Sequence, residues 1–410
     1  MSEDSPTCQI HKKYRFIDCA NPALPGEPEG FCILHSEDKT KDPVAFREAI
    51  LATWNLKESA SHDFRAVFFP GSFGHMDFFC SRQFQKSIDF SRATFTETAN
   101  FIGATFIERA DFSNVIFLNN VHFFEATFAK RVDFTGATFK KSADFIGTVF
   151  SEGASFFKAR FQLWANFHGS TFEGSADFLR TSIEGQVIFR PQQSIRCIFR
   201  ELELNPEAKL LFQNVSLAQT EFAGTDLRLI DFVNVQWPRY KGRNVVYDEI
   251  ILKEKPTSEE YAQVEHLYRQ LIANYKNQED YKRVGDFHYG EMEMHRKASP
   301  WRRWISWYSI YWALSGYGER PNLALSWLAI FLAFFTGSLA WAGLQIIDSN
   351  YSASFGNSFF YLLQKVTLQR PTWAEPVGFW GKLVAGFSVL LIPGQAALFL
   401  LALRNRLGRR

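Results

Sequence analysis

The side chains of this protein best suited to hold a ligand lie near its start. Cys8-x2-His11, Cys19 and Cys32-x2-His35 place five soft or borderline donors within 28 residues of a polar segment with little apolar surface to bury. Zinc takes four such donors tetrahedrally, and small loop-rich segments often depend on it. Cys8, Cys19, Cys32 and His35 are expected to bind one zinc ion, with His11 as the competing ligand. A packed cluster of reduced thiols is the alternative, because the spacing is not that of a standard finger. Cys80 and Cys197 stand apart and read as structural. Five cysteines are an odd number, and Met1–Pro28 has no apolar run of a secretion signal. Disulfides are therefore not expected, and the soluble part should be cytoplasmic.

Other candidate chemistry is thin. His288-x2-Glu291 puts two donors on one helical face, with Glu293 and His295 nearby. No second such motif exists to complete a di-metal site, so a packed polar helix is the expectation. There is no P-loop, no dinucleotide glycine fingerprint and no Gly-x-Ser-x-Gly elbow. A non-enzymatic role is expected.

The middle of the chain is ruled by phenylalanine spacing. One series runs Phe90, Phe101, Phe112, Phe123, Phe134, Phe145, Phe156, Phe167, Phe178, Phe189; the other runs Phe95, Phe106, Phe117, Phe128, Phe139, Phe150, Phe161, Phe172, Ile183. Each steps by eleven and the two are offset by five, which fits neither a helix nor a simple strand. A short fixed period of this kind predicts a solenoid. Phe, and the small or β-branched residue two positions before it, point to the axis; polar residues between them face out. Four segments close a square coil of ~22 residues, and coils stack at the ~4.8 Å strand spacing. Asp111, Asp133, Asp144 and Asp177 precede their Phe where a carboxylate can bond its own backbone. The period fails over Arg190–Leu211, where an irregular coil or excursion is expected. It resumes at Phe212, Leu217, Phe222, Leu227, Phe232 and Trp237.

The units "ANFIGATF", "ADFSNVIF", "VDFTGATF" and "ADFIGTVF" resemble pentapeptide repeats, in the Phe-rich variant in which every second unit gains a residue. The resemblance implies a right-handed quadrilateral β-helix over 61–240. "GFCILH" resembles the Gly-aromatic-Cys-Ile-Phe-His element that precedes such repeats, giving a Cys/His cap over 1–60. Some soluble members imitate duplex DNA and bind topoisomerases, which requires a strongly acidic surface. Between Phe78 and Phe189 there are eleven acidic and eleven basic residues, so DNA mimicry and nucleic-acid binding are not expected.

Composition changes after Pro300. Residues 322–347 and 383–403 carry no charge, 26 and 21 residues respectively, and about 20 suffice to cross a bilayer. Transmembrane helices are expected at 322–346 and 383–403, after a helical connector hairpin at 256–298 and an interfacial helix at 300–320 rich in Trp, Tyr and Arg. In the connector, Thr257 or Ser258 should cap a stripe of Tyr261, Val264, Leu267, Tyr268, Leu271 and Tyr275. Gly386 and Pro393–Gly394 would permit close packing or a bend. Basic outer flanks imply both termini in the cytoplasm and a multi-pass protein of the bacterial inner (cytoplasmic) membrane. Between the spans, 355–371 reads as a re-entrant, pore-helix-like segment. The order span, short helix, irregular segment, span resembles the pore module of two-transmembrane ion channels. Thr367 and Leu368 stand where a filter would begin, but Gln369, Arg370 and Pro371 replace Gly-Tyr-Gly. The expectation is a homo-oligomeric, channel-like protein in contact with membrane lipid, whose β-helix senses or scaffolds through a protein partner the sequence does not identify. A non-conducting membrane-tethered scaffold is the alternative.

Overall fold

The computed structural model of this chain describes residues 6–55, 61–71, 78–298, 306–347 and 354–407. The chain divides into two compact units, Met1–Leu252 and Lys253–Arg410.

The first unit is built around a parallel β-solenoid of about eight turns spanning residues 61–233. Its four sides are sheets of eight, seven, six and seven short strands. Coils align 22 residues apart, as in Val121 with Ala143, Phe128 with Phe150, Val132 with Ala154 and Phe139 with Phe161. Every Phe from Phe101 to Phe178 in both series is buried. Phe112, Phe134, Phe156 and Phe178 stack with centroids 5.0, 5.0 and 4.8 Å apart. The column Phe101, Phe123, Phe145, Phe167 stacks at 4.9, 5.2 and 4.8 Å. Neighbouring columns meet edge to face, for example Phe123 with Phe134 at 5.5 Å and 76°. One coil rise thus matches one offset-stacked ring spacing, and the strand ladder and the aromatic ladder reinforce each other.

The corners follow local rules. Asp111, Asp133, Asp144 and Asp177 each accept a hydrogen bond from the N–H two residues on, at 2.9, 2.9, 3.0 and 3.0 Å. One corner per eleven residues is left-handed, from Arg92 through Gly103, Asn114, Glu125 and Gly136 to Arg180. At Gly136 a Cβ would lie 2.6 Å from Asn114 Oδ1, so glycine relieves both conformation and space there. Of the irregular coil or excursion expected at Arg190–Leu211, the structure has the irregular coil. Strands Gln193–Ser194, Cys197–Ile198 and Glu203–Leu204 continue three of the sides, and Lys209–Gln213 the fourth. Altered corner lengths absorb the change, since Ala176 pairs with Cys197 and Gln186 with Lys209.

Both ends of the stack are covered. At the start, α1 (Ile10–Lys13) and α2 (Pro43–Trp54) precede the first coil, and Asp42 caps α2. Phe46 of α2 packs edge-on to Phe69, and Trp54 stacks on His62 at 4.3 Å. At the far end, α3 (Tyr247–Ile250) carries Asp248, whose carboxylate accepts hydrogen bonds from the N–H groups of Phe222 and Ala223. In earlier coils that N–H donates to the next coil, as Phe199 does to Glu221 O. For Phe222, Asp248 therefore replaces the carbonyl that a further coil would supply. The neighbouring Arg243 and Glu249 are both buried and pair at 2.6 Å.

The second unit begins with the hairpin α4 (Ser258–Asn277) and α5 (Tyr281–Ala298). Thr257 and Glu260 form a capping box at the start of α4. Val264, Leu267, Tyr268, Leu271 and Tyr275 are buried with Phe287 and Met294 of α5. Gly290 lies against the Tyr268 ring, where a Cβ would come within 2.6 Å. Helix α6 covers Trp307–Ser315, and Trp301–Ile305 of the expected interfacial helix lie outside the described residues. Helices α7 (Pro321–Ala342) and α9 (Gly378–Leu407) are long and apolar enough to cross a membrane, with mean hydropathy 2.0 each. Only 22 % of the most apolar stretch of either is buried, unlike a core helix. Pro393 sits within α9, and a Cβ at Gly386 or Gly394 would meet nothing, so neither glycine mediates packing inside the unit. Helix α8 (Phe355–Val366) packs between α7 and α9.

Asp248 yields a test. Burial raises its carboxyl from the ordinary 3.8 to about 6. Asp248→Ala leaves the buried Phe222 N–H and the half-buried Ala223 N–H without this partner and should cost about 1–3 kcal/mol. Asp248→Asn keeps an acceptor and should cost less. Because the folded form takes up the proton first, wild-type stability relative to Asp248→Asn is greatest below pH ~4 and falls as pH rises through about 6. Urea unfolding followed by far-ultraviolet circular dichroism across this window checks the sign; a difference independent of pH contradicts it.

Candidate functional site

Loops around α1 bring Cys8, Cys19, Cys32 and His35 together, with all four ligand atoms within 4.8 Å of one another. Cys19 Sγ lies 3.8 Å from Cys32 Sγ, and His35 Nδ1 lies 3.4 Å from Cys8 Sγ and 3.3 Å from Cys32 Sγ. A tetrahedral ion with metal–sulfur bonds of ~2.3 Å and metal–nitrogen bonds of ~2.0 Å has ligand–ligand edges of about 3.5–3.8 Å. The donors already stand close to that separation. His35 Nε2 is 3.2 Å from the carbonyl of Arg65, the arrangement that orients metal-binding imidazoles. The Cys32 N–H donates to Cys8 Sγ at 3.2 Å, which favours a thiolate there. His11 is exposed on α1 and outside the cluster, so His35 completes the set.

Such proximity cannot leave three ordinary thiols. A hydrogen bond from Cys19, with help from His35, pulls Cys32 well below the usual thiol range. The same bond, with burial, pushes Cys19 up, and burial raises Cys8. The cluster therefore gathers thiolate character at its centre, as metal ligation requires.

The cluster is tied to the first coil. Phe68 N–H donates to Leu34 O at 2.9 Å. Lys41 Nζ donates to the carbonyls of Ile33, Ser36 and Phe68 at 2.8, 2.7 and 2.9 Å, and burial lowers its pKa to about 7. All three ammonium protons are used. Sequence reasoning missed this lysine, and nothing in its local pattern marks it.

The other predicted segment follows α8. Leu362 is buried against Phe335 and Ile392, near the middle of α7 and α9, with Val366 packed on the same cluster. The chain then turns at once. Gln369 N–H donates to Gln364 O at 2.9 Å and Leu368 N–H to Lys365 O at 3.2 Å, a Schellman closure. Its left-handed position, normally glycine, is Leu368 with φ 60° and 83 % exposure. Thr367 Oγ1 donates back to Leu363 O at 2.9 Å. Thr367, Leu368, Gln369 and Arg370 are all exposed, and Pro371 is half-buried. The return strand is anchored by Trp373, which donates to Gln364 Oε1, and by Leu344–Ile346 pairing with Ala374–Pro376.

His288 pairs with Glu291 at 3.6 Å and His295 with Glu265 at 3.4 Å, while Glu293 bonds Arg296 and Tyr317. These are contacts within and beside the hairpin, and they form no metal cluster among the described residues. Cys80 is half-buried and Cys197 is buried in the strand Cys197–Ile198.

Residues 83–127 and 134–182 match the family model for pentapeptide repeats (9 copies). No curated protein and no solved structure matches the chain.

The cluster geometry predicts that Co²⁺ added anaerobically to reduced protein gives the thiolate charge-transfer and d–d bands of a tetrahedral site, saturating at one ion per chain. Cys32→Ser should weaken binding at least about tenfold, and His11→Ala should leave it unchanged. Retention of these bands in Cys32→Ser would contradict the assigned ligands.

Proposed function

The solenoid is a pentapeptide-repeat rod, and from that premise we propose that the chain is a membrane-anchored, non-enzymatic protein whose second unit assembles into a homo-oligomeric, channel-like module. The rod acts as its cytoplasmic sensing or docking arm for a partner protein. The carrying observation is the turn Thr367–Arg370. It leaves α8 directly at the cluster Leu362–Phe335–Ile392, midway along the two apolar helices. If α7 and α9 span a bilayer, this polar turn lies near its centre. Irregular backbone at that depth is tolerated only inside protein or beside water. Arg370 there costs ~2.5 kcal/mol or far more unless it meets water or a partner. A closed ring of copies supplies both. Exposed apolar side chains on the spans, among them Phe334, Trp341 and Leu390, then face lipid or neighbouring copies. A ring of arginines would favour anions.

The polar rims support the orientation. Arg404 and Arg406 end α9, and Trp307 and Trp312 of α6 are exposed. Both termini then lie on the cytoplasmic side of an inner membrane. In the cap, zinc is the ion we assign to Cys8, Cys19, Cys32 and His35, because three sulfurs and one imidazole at tetrahedral spacing suit it best. It would hold the segment that seals the first coil. A non-conducting tether is the second reading, favoured by the Schellman closure and by Thr367 bonding its own helix.

Oligomeric state in detergent and current through planar bilayers test the reading together. The expected result is an oligomer whose current is changed when Arg370→Cys is treated with a charged thiol reagent. A strictly monomeric protein, or current indifferent to modification at position 370, would overturn it in favour of the tether.

A further inference from the structure

We infer that the second unit holds a binding site for the phosphate-bearing headgroup of an anionic phospholipid, in a cavity between the connector hairpin and the end of α9. This inference rests on the reading that α7 and α9 cross a membrane. The cavity measures about 510 Å³, within the range of small-molecule sites. It is lined by Lys276, His288, Arg404 and Glu319 and by the apolar Ile272 and Val284. Asn405 Nδ2 donates to Gly318 O at 3.1 Å, which fixes the loop bearing Glu319 against the end of α9.

Three features select the ligand. First, the cations are available: among the described residues neither Lys276 nor Arg404 has a side-chain ion pair or hydrogen bond. His288 has its own partner in Glu291, so Lys276 and Arg404 supply the cavity's full positive charges. A guanidinium and an ammonium lining one cavity match phosphate oxygens. Second, Arg404 is the first charged residue after the uncharged run 383–403, so the cavity sits at the level where a spanning helix leaves the hydrocarbon. Third, Leu400 lies one turn before Arg404 on the same face of α9 and is 61 % exposed. An acyl chain can follow that face while the phosphate stays with Arg404. A free phosphate gains nothing from this third feature, which favours the lipid.

The experiment uses the full chain in detergent, with native mass spectrometry to follow titrated phosphatidylglycerol, phosphatidylcholine and glycerol phosphate. Phosphatidylglycerol should bind most tightly. Arg404→Gln and Lys276→Gln should each weaken it about fivefold, while Arg406→Gln, at the same helix end but outside the cavity, should not. Equal losses in all three variants would mean diffuse attraction to a basic tail and overturn the site. Glycerol phosphate binding as tightly as the lipid, with the same dependence on Arg404, would overturn the lipid assignment. Flotation with phosphatidylcholine vesicles separates the two levels of the claim. Failure to float defeats the membrane reading and the site with it, whereas flotation with unchanged lipid affinity in Arg404→Gln defeats the site alone.

Discussion

In a parallel β-solenoid the N–H and C=O groups of each coil point along the axis, so every coil draws its hydrogen bonds from its neighbours and the terminal coils have none to draw from. Buried polar backbone without partners is costly, and an open edge also invites pairing with other chains. This chain closes its two ends by different chemistry. At the start a largely polar, loop-rich segment is gathered around three cysteines and a histidine. Leu34 O then receives the Phe68 N–H, and Lys41 satisfies three carbonyls. At the far end a single carboxylate, Asp248, takes the Phe222 N–H that another coil would have taken, and the neighbouring Ala223 N–H as well. Between these seals the phenylalanine ladder can be uniform, because no coil inside it has an exceptional task.

The same demand shapes the second unit. Helices α7 and α9 satisfy their own backbone, but the connection between them must turn twice. One turn is closed by pairing Leu344–Ile346 with Ala374–Pro376. The other is the Schellman turn at Leu368, whose side chain accepts a left-handed conformation that costs of order 1–3 kcal/mol outside glycine. Strain of that kind persists where surroundings impose it. Here α8 is wedged between both long helices by Tyr361 and Leu362.

What the sequence made legible follows from periodicity. Nineteen units in step specify which Phe points inward, and the coil register follows because a slip by one residue would turn every ring outward. The spacing also revealed the candidate ligands, though only the fold could separate His35 from His11. Other features left no periodic trace. The left-handed corners fall on Arg92, Glu125 and Arg180 as readily as on glycine, and before Arg92 and Arg180 an Asx turn from Asp89 and Asp177 holds the chain. The coil through Arg190–Leu211 looked broken because Ser194 stands where the eleven-residue step would place an aromatic, yet its strand still pairs in register. Asp248 and Lys41 act across long sequence separations, and no local pattern announces a partner 25 residues away.

The central functional claim is that the turn after α8 lies at mid-bilayer beside water. A nitroxide at Leu368→Cys, in protein reconstituted in lipid, tests it most directly when its depth is calibrated against labels at Phe334 and Leu390. The account predicts a depth comparable to those two positions, with relaxation by a water-soluble nickel chelate rather than by oxygen. A label at headgroup depth, or one at mid-depth that only oxygen reaches, would contradict it.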